Sequence, residues 1–467
     1  MDSDSYAGVV PLTGQRMTEY FGYIMDQFQF LPAFTINAGL RYEYFGVDHE
    51  VQGRGIVDSL GCQNVICPAG TQWYQPDLTD FSPRVSIAYT PEALHGKTAI
   101  RAGFGIYYGD GQFGNLGTPI GNLATKYSLT KQQAPGLSYP ITPYLGAAAT
   151  SFSPSGSPLN RRDTAVNEWT LSIQQQVAKQ TVAQIAYFGT KASHVFSDVT
   201  LNGINPATGK RPYAGYSTID YRGTANDANT HALQLGLRRD FSTGLLISAN
   251  YELSHSLDNG GLGGGEADIP QDINCHICEY SSSDQDMRQY FSGSVLWRLP
   301  VGRGHTLLGN ESAIADFFLG GWQLSGIGTA CTGLPVNITI SRSTSALPDQ
   351  LNKNRRPNSL PGVSIYAANK TPGSWFNSAA FSTPASGVHG DLGRNAARAP
   401  GLWQFDTGLN KRFSVTERLG ISFRAEAFNV FNVAHYGTPA SVFAGSNFGI
   451  ITTPFSTNAV GTCRQAS

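Results

Sequence analysis

The chain has 467 residues, long for one soluble domain, and its 32 basic and 33 acidic residues leave a net charge of −1. No basic segment or charge run points to nucleic acid as a partner, and no stretch approaches about 18 uninterrupted apolar residues, so no transmembrane helix is expected. Charged residues are 14% of the chain, against about 25% in typical globular proteins, while Tyr (21), Phe (25) and Gly (53) are plentiful. That balance suits either a β-barrel with aromatic girdles and wet loops or a large secreted all-β protein.

The chain opens Met1-Asp2-Ser3-Asp4-Ser5-Tyr6, with no basic region and no apolar run, so no signal peptide is read there. Residues 1–17 are a lead-in. The first hairpin covers 18–45: an aromatic-rich strand from Thr18 to Phe28, a turn at Leu31-Pro32, then Phe34, Ile36, Ala38, Leu40, Tyr42 and Tyr44 alternating with Thr35, Asn37, Gly39, Arg41 and Glu43. A long loop, 46–81, carries Cys62 and Cys67. In the second hairpin Val85, Ile87 and Tyr89 face one way, and after Pro91–Gly96 so do Ile100, Ala102, Phe104, Ile106 and Tyr108, against Lys97, Arg101, Gly103 and Gly105.

Residues 109–165 are rich in Gly, Pro, Ser and Thr and read as a long loop. A third hairpin starts at Glu168, with Trp169, Leu171 and Ile173 against Thr170, Ser172 and Gln174, turns at Ala178-Lys179-Gln180 and returns over 181–190; residues 191–229 read as another polar loop. The clearest hairpin follows. His231, Leu233, Leu235 and Leu237 alternate with Ala232, Gln234, Gly236 and Arg238; after Ser242-Thr243-Gly244, Leu245, Ile247, Ala249, Tyr251 and Leu253 alternate with more polar residues. Each arm is about 10 residues, the length at which a tilted strand crosses an outer membrane with apolar side chains to lipid and polar ones to the lumen.

The loop at 256–287 holds the run Gly260–Gly265 and Cys275-His276-Ile277-Cys278. The glycine run has no strand-to-helix context and no closing Lys-Ser/Thr, so it reads as a loop tip. Gln289, Phe291, Gly293, Val295, Trp297 and Leu299 then form one apolar face, Pro300 to Gly304 starts the connection, and Trp322–Thr329 returns. Residues 342–402 read as irregular and polar. The last hairpin, 404–431, sets Phe405, Leu409 and Phe413 against Asp406, Asn410 and Arg412, then Leu419, Ile421, Phe423, Ala425 and Ala427 against Ser422, Arg424 and Glu426.

The expected fold is therefore all-β: an antiparallel transmembrane β-barrel portion of about 12–14 strands over 18–454, with long extracellular loops and an atypical tail at 455–467. Arg41, Glu43, Arg101, Asp406, Arg424 and Glu426 are expected on the lumen face, since unpaired charges are costly in lipid. Asp406, Arg424 and Glu426 could also be drawn as a catalytic set, but no nucleophile elbow or His-Glu-x-x-His accompanies them, and no enzyme activity, metal or cofactor is expected. Cys62 with Cys67 and Cys275 with Cys278 are candidate loop disulfides; free thiols, or a redox or metal site at Cys275-x-x-Cys278, are the alternatives. Trp169, Trp297, Trp322 and Trp403 are either an interfacial belt or stacking platforms for a sugar or siderophore.

Several stretches in this order resemble the barrel of TonB-dependent outer-membrane receptors, specifically the Oar-like group. They are Phe81-Ser82-Pro83-Arg84-Val85-Ser86-Ile87-Ala88-Tyr89, Thr98-Ala99-Ile100-Arg101-Ala102-Gly103-Phe104-Gly105-Ile106-Tyr107, Gly320-Gly321-Trp322-Gln323-Leu324-Ser325-Gly326 with Thr332-Gly333-Leu334-Pro335, and Trp375-Phe376-Asn377-Ser378-Ala379-Ala380-Phe381. The most specific is Phe423-Arg424-Ala425-Glu426-Ala427-Phe428-Asn429-Val430-Phe431-Asn432. The resemblance implies a barrel of about 22 strands closed by an N-terminal plug and driven through TonB. It implies uptake of a small ligand (a siderophore, an oligosaccharide or similar) across the cell outer membrane. Outer-membrane lipid is then a partner, and TonB only if a longer gene product supplies a plug with its TonB box. The sequence departs from the pattern at both ends: no plug precedes the first hairpin, and Gly461 to Ser467 stands where an aromatic-ended closing strand is expected. A truncated or frameshifted gene is the expectation. Two other functions stay open: an outer-membrane adhesion or surface-structure protein, and a secreted carbohydrate-active enzyme.

Overall fold

The computed structural model describes residues 3–7, 14–47, 49–53, 68, 71–110, 126–130, 155–214, 216–241, 244–260, 270–351, 355–414 and 418–454. Cys62, Cys67, Cys463, most of the glycine run, the 242–243 turn and the 455–467 tail lie outside these residues.

Twelve long strands follow one another in a single antiparallel sheet. They are β1 (Glu19–Leu31), β2 (Phe34–Phe45), β3 (Phe81–Tyr89), β4 (Thr98–Gly109), β5 (Thr164–Ala178) and β6 (Thr181–Leu201), then β7 (Ile219–Phe241), β8 (Leu245–Asp258), β9 (Gln289–Arg298), β10 (Trp322–Cys331), β11 (Leu402–Ser414) and β12 (Gly420–Ala427). Each pairs with its sequence neighbours, and β1 and β12 are the two edges of the path. Short turns join the strands at one end, except between β9 and β10, where residues 299–321 intervene, and long connections join them at the other, the alternation of an outer-membrane sheet. The short turns bring residues into left-handed backbone where the chain reverses: His95 (φ 53°) with Gly96 between β3 and β4, Gln180 (φ 58°) between β5 and β6, and Gly244 (φ 83°) before β8. The β9–β10 connection also holds α1 (Ala313–Leu319), capped by Ser312, whose Oγ accepts from Ala315 N at 3.2 Å. The sequence reading contained no helix here.

The apolar half of the period-two pattern lies on one face. Across the registers, Ile173, Ile185, Leu235 and Tyr251 form one row, and Phe104, Trp169 and Gly189 another. Aromatic rings on this face rest in notches left by glycine. A Cβ at Gly189 would lie 2.5 Å from the Trp169 ring, one at Gly326 2.9 Å from Phe405, and one at Gly293 3.0 Å from Phe291. This accounts for part of the high glycine content: a ring lies flat on the sheet only where its neighbour has no side chain.

Aromatics gather at both ends of this face. Toward the long connections, Trp169, Tyr187 and His231 cluster, with Tyr187 Oη 2.8 Å from His231 Nδ1, and Trp403 packs on Phe431 at 5.7 Å. Toward the short turns, Phe413 meets Phe317 of α1 at 5.3 Å, and Trp322 meets Phe423 at 5.8 Å. Trp403 and Phe413 lie ten residues apart on β11. At about 3.4 Å per residue and a tilt of about 40°, that is about 26 Å, the height of the apolar band of an outer-membrane barrel.

Two parts of the sequence reading are corrected. Residues 191–201 and 219–229 are not loop: β6 and β7 continue pairing through them, with irregular register between Ala192 and Ser197. Apolar alternation stops there because no lipid demands it, while the backbone ladder continues. Residues 342–402 are not a loose polar segment either. Val336, Ile338, Phe376, Ala380, Phe381, Leu392 and Ala397 form a buried core, joined by Phe443 and Phe448 from beyond β12. Short pairings hold this layer together: Pro335–Val336 with Ala397–Arg398, and Thr339–Ile340 with Val442–Phe443.

Candidate functional site: the polar inner wall and the ion-paired rim

The second face of the sheet carries the polar half of the alternation. The registers place Arg41, Glu43, Arg101, Asp406, Arg424 and Glu426 all on it. They form four local groups rather than one constellation. Arg41 Nε donates to Glu43 Oε1 at 2.5 Å, and the buried Glu43 also accepts from Ser82 Oγ at 2.9 Å. Arg101 donates to Gln174 at 3.3 Å. Asp406 accepts from Gln404 Nε2 at 2.7 Å and Asn429 N at 2.8 Å, while Arg424 pairs with Glu426 in an exposed position. Among the described residues no group of three His, Cys, Asp or Glu is arranged to hold a metal ion.

Where the long connections leave the sheet, charges are buried and paired. Three arginines of the β10–β11 connection reach carboxylates at and beyond the end of β8. Arg356 holds Glu279 through two bonds of 2.6 and 2.8 Å. Arg394 holds Asp258, with both side chains about 1% exposed. Arg398 holds Asp286, which also faces His255 at 3.3 Å. Asp286 is kept below the usual carboxylate range: burial alone would raise it, but the Ser256 amide, Arg398 and His255 outweigh that. Cys275 and Cys278 are joined by a disulfide directly before Glu279, so the covalent loop sits at the base of the Arg356 latch. Glu279 Oε1 further accepts from Gln271 N at 2.9 Å.

A second cluster sits where β3 and β5 begin. Asp80 is fully buried, and apart from the Asp163 carboxyl its oxygens meet no hydrogen-bonding group among the described residues. It faces Asp163, and two carboxylates in contact cannot both ionise. Burial, then the Asp163 charge, pushes Asp80 up to about 8. Burial raises Asp163 to about 6 against the pull of Arg161, whose guanidinium lies 3.5 Å from it and over the Tyr74 ring. One proton shared between Asp80 and Asp163 therefore ties the rim of β3 to that of β5.

The rim residues Asp80, Asp163, Asp258, Glu279, Asp286, Arg356, Arg394 and Arg398 were absent from the sequence reading. The available signal was a cluster of charge, Arg355-Arg356 and then Arg394 and Arg398, in a chain poor in charge. The carboxylates that Arg356, Arg394 and Arg398 hold lie 77 to 136 residues away, whereas Arg355 pairs locally with Asp349.

The model of the family described as "Outer membrane beta barrel domain" matches residues 1–466. A comparison with curated proteins finds none that matches. Among solved structures, the chain is similar to the outer membrane transporter YddB from Escherichia coli (12% identity, 94% of this chain and 44% of that one, TM-score 0.48). It is similar to the ferripyoverdine receptor of the outer membrane of Pseudomonas aeruginosa (9% identity, 95% and 38%, TM-score 0.44). It is also similar to the siderophore receptor PiuA from Acinetobacter baumannii (8% identity, 94% and 42%, TM-score 0.45). The chain spans less than half the length of each of these structures. With its apolar outer face, polar inner face and the family match over nearly its whole length, the chain belongs to the outer membrane β-barrel domain family and sits in the outer membrane.

Proposed function

We propose that this chain is barrel wall of a receptor-type outer-membrane transporter of the TonB-dependent, Oar-like kind, which takes up a small ligand without bond chemistry. The observation that carries this reading is the pairing of two features. An inner face carrying the polar half of the alternation runs across twelve strands, and the β8–β9 and β10–β11 connections above it are held together by a core and buried ion pairs. A rigid outer layer holds a defined ligand surface over a polar path, which passive adhesion does not require. In lipid every backbone group must be paired, so β1 and β12 each take a further strand or close on each other. Energy from TonB enters only through a plug carrying a TonB box.

The test is uptake. Cells with and without the gene are given radioiron-loaded siderophores and labelled oligosaccharides, with and without a protonophore. Gene-dependent accumulation that the protonophore abolishes is expected for at least one of them. Gene-dependent surface attachment that survives the protonophore, with no accumulation, would favour the adhesion reading instead.

A further inference from the structure

The inner wall of β1–β5 holds a groove of about 490 Å³. Its centre is one cross-strand row, Met25–Gly39–Arg84–Gly105–Glu168. The two glycines remove the side chains between Met25, Arg84 and Glu168, which therefore stand about 10 Å apart, two strand spacings each. The slot over Gly105 is filled by the Tyr107 ring, which a Cβ there would meet at 3.0 Å, and the Arg84 guanidinium lies on that ring at 4.3 Å. Beside Gly39 the groove continues toward Arg84, bordered by the Met25 side chain, whose Cβ and Cγ would lie 3.4 Å from a Cβ at Gly39. Tyr23 and Met25 wall it on one side, both more than 70% exposed although they face inward, and Arg84 closes it on the other.

The charges set what fits. Arg41, at the outer end of the slot, is already paired with Glu43. Arg84 and Glu168 form no ion pair among the described residues, and Arg84 turns to Tyr107 rather than to Glu168. A cation on the membrane-depth wall of a barrel that lacks a counter-charge marks a ligand path. Stacking on Tyr107 fixes the guanidinium plane, which suits planar, two-point recognition of a carboxylate.

We propose that the Gly39 slot is a binding site for a small aromatic carboxylate. Its flat body lies on Gly39 against Tyr23 and Met25, and its carboxylate is held by Arg84. The proposal rests on the reading that this face lines the barrel interior and adds a ligand class to it.

The full chain in lipid nanodiscs is titrated with 2-naphthoate, and with naphthalene-2-methanol as the uncharged control, by saturation-transfer NMR. Naphthoate is expected to bind about tenfold more tightly than the alcohol. Arg84→Gln removes that preference, Arg84→Lys keeps part of it, and Arg101→Gln, outside the groove, leaves it unchanged. Naphthoate binding that is the same in Arg84→Gln overturns the proposal. Brominated-lipid quenching of tryptophan in the same samples separates the two levels. Quenching together with Arg84-independent binding overturns the ligand site alone. Absence of quenching overturns the interior placement, and the site with it.

Discussion

Along β7, Leu235 and Leu237 are left on the surface of the sheet, whereas in residues 332–401 Phe376, Phe381 and Leu392 are buried. The same side-chain chemistry points in opposite directions because the solvent differs. Lipid is as apolar as leucine, so the crossing sheet turns its apolar face outward and gains its cohesion from the backbone ladder. Above the membrane, water drives the same residues into a core of ordinary kind. Charge follows the same division. On the inner wall the Arg424–Glu426 pair is exposed, while in the outer layer Arg394 and Asp258 are sealed from solvent.

The comparison breaks most sharply at the sealed pairs. Arg394→Ala leaves the Asp258 carboxylate buried without its partner, and a loss of about 3–5 kcal/mol is expected for the outer layer. Limited proteolysis should cut within 332–401 while the membrane-protected strands persist. Equal resistance of variant and parent would show that the latch does not hold the layer.

A smaller effect is expected on the lipid side. Leu235→Arg places a charge on the apolar face and should cost about 2–4 kcal/mol near mid-membrane. Gln234→Arg, one residue away, faces Glu252, whose Oε2 accepts from Gln234 Nε2 at 2.9 Å, and should be tolerated. Denaturant unfolding in vesicles compares the two, and similar costs would contradict the assigned faces.

The smallest expected effect sharpens the rim. Asp80 is raised to about 8 and Asp163 to about 6 in the folded chain, from 3.8 when unfolded. A carboxyl raised on folding adds stability that is full below about 4 and is lost as pH climbs toward the folded value. The segments 71–80 and 155–163 should therefore lose amide-exchange protection between about pH 4 and 8, by about tenfold or about 1.4 kcal/mol. Asp80→Asn should flatten that dependence, and an unchanged pH dependence in that variant would remove the shared proton from the account.

The crossing strands were legible because their signal is local. Period two needs only neighbouring residues, and it placed Phe405 and Asp406 on opposite faces. The register then gathered Arg41, Glu43, Arg101, Asp406, Arg424 and Glu426 on a single face. The outer layer was not legible, because its core joins Val336 to Phe381 and Phe443, and its latches join residues up to 136 apart. No short pattern encodes that pairing. The outer ends of β6 and β7 were missed for a related reason: away from lipid a strand needs no alternation to be a strand. Cys275-x-x-Cys278 was visible, but its place beside Glu279 and Arg356 was not.

The central claim is that one face of these twelve strands meets lipid and the other lines a polar interior. Spin labels placed singly at positions 232 to 237 of β7, in the reconstituted full chain, test it most directly through their accessibility to oxygen and to a water-soluble nickel chelate. The account predicts strict alternation, with 233, 235 and 237 reached by oxygen from the lipid and 232, 234 and 236 reached by nickel from water. A flat profile, or nickel access at all six positions, would contradict it.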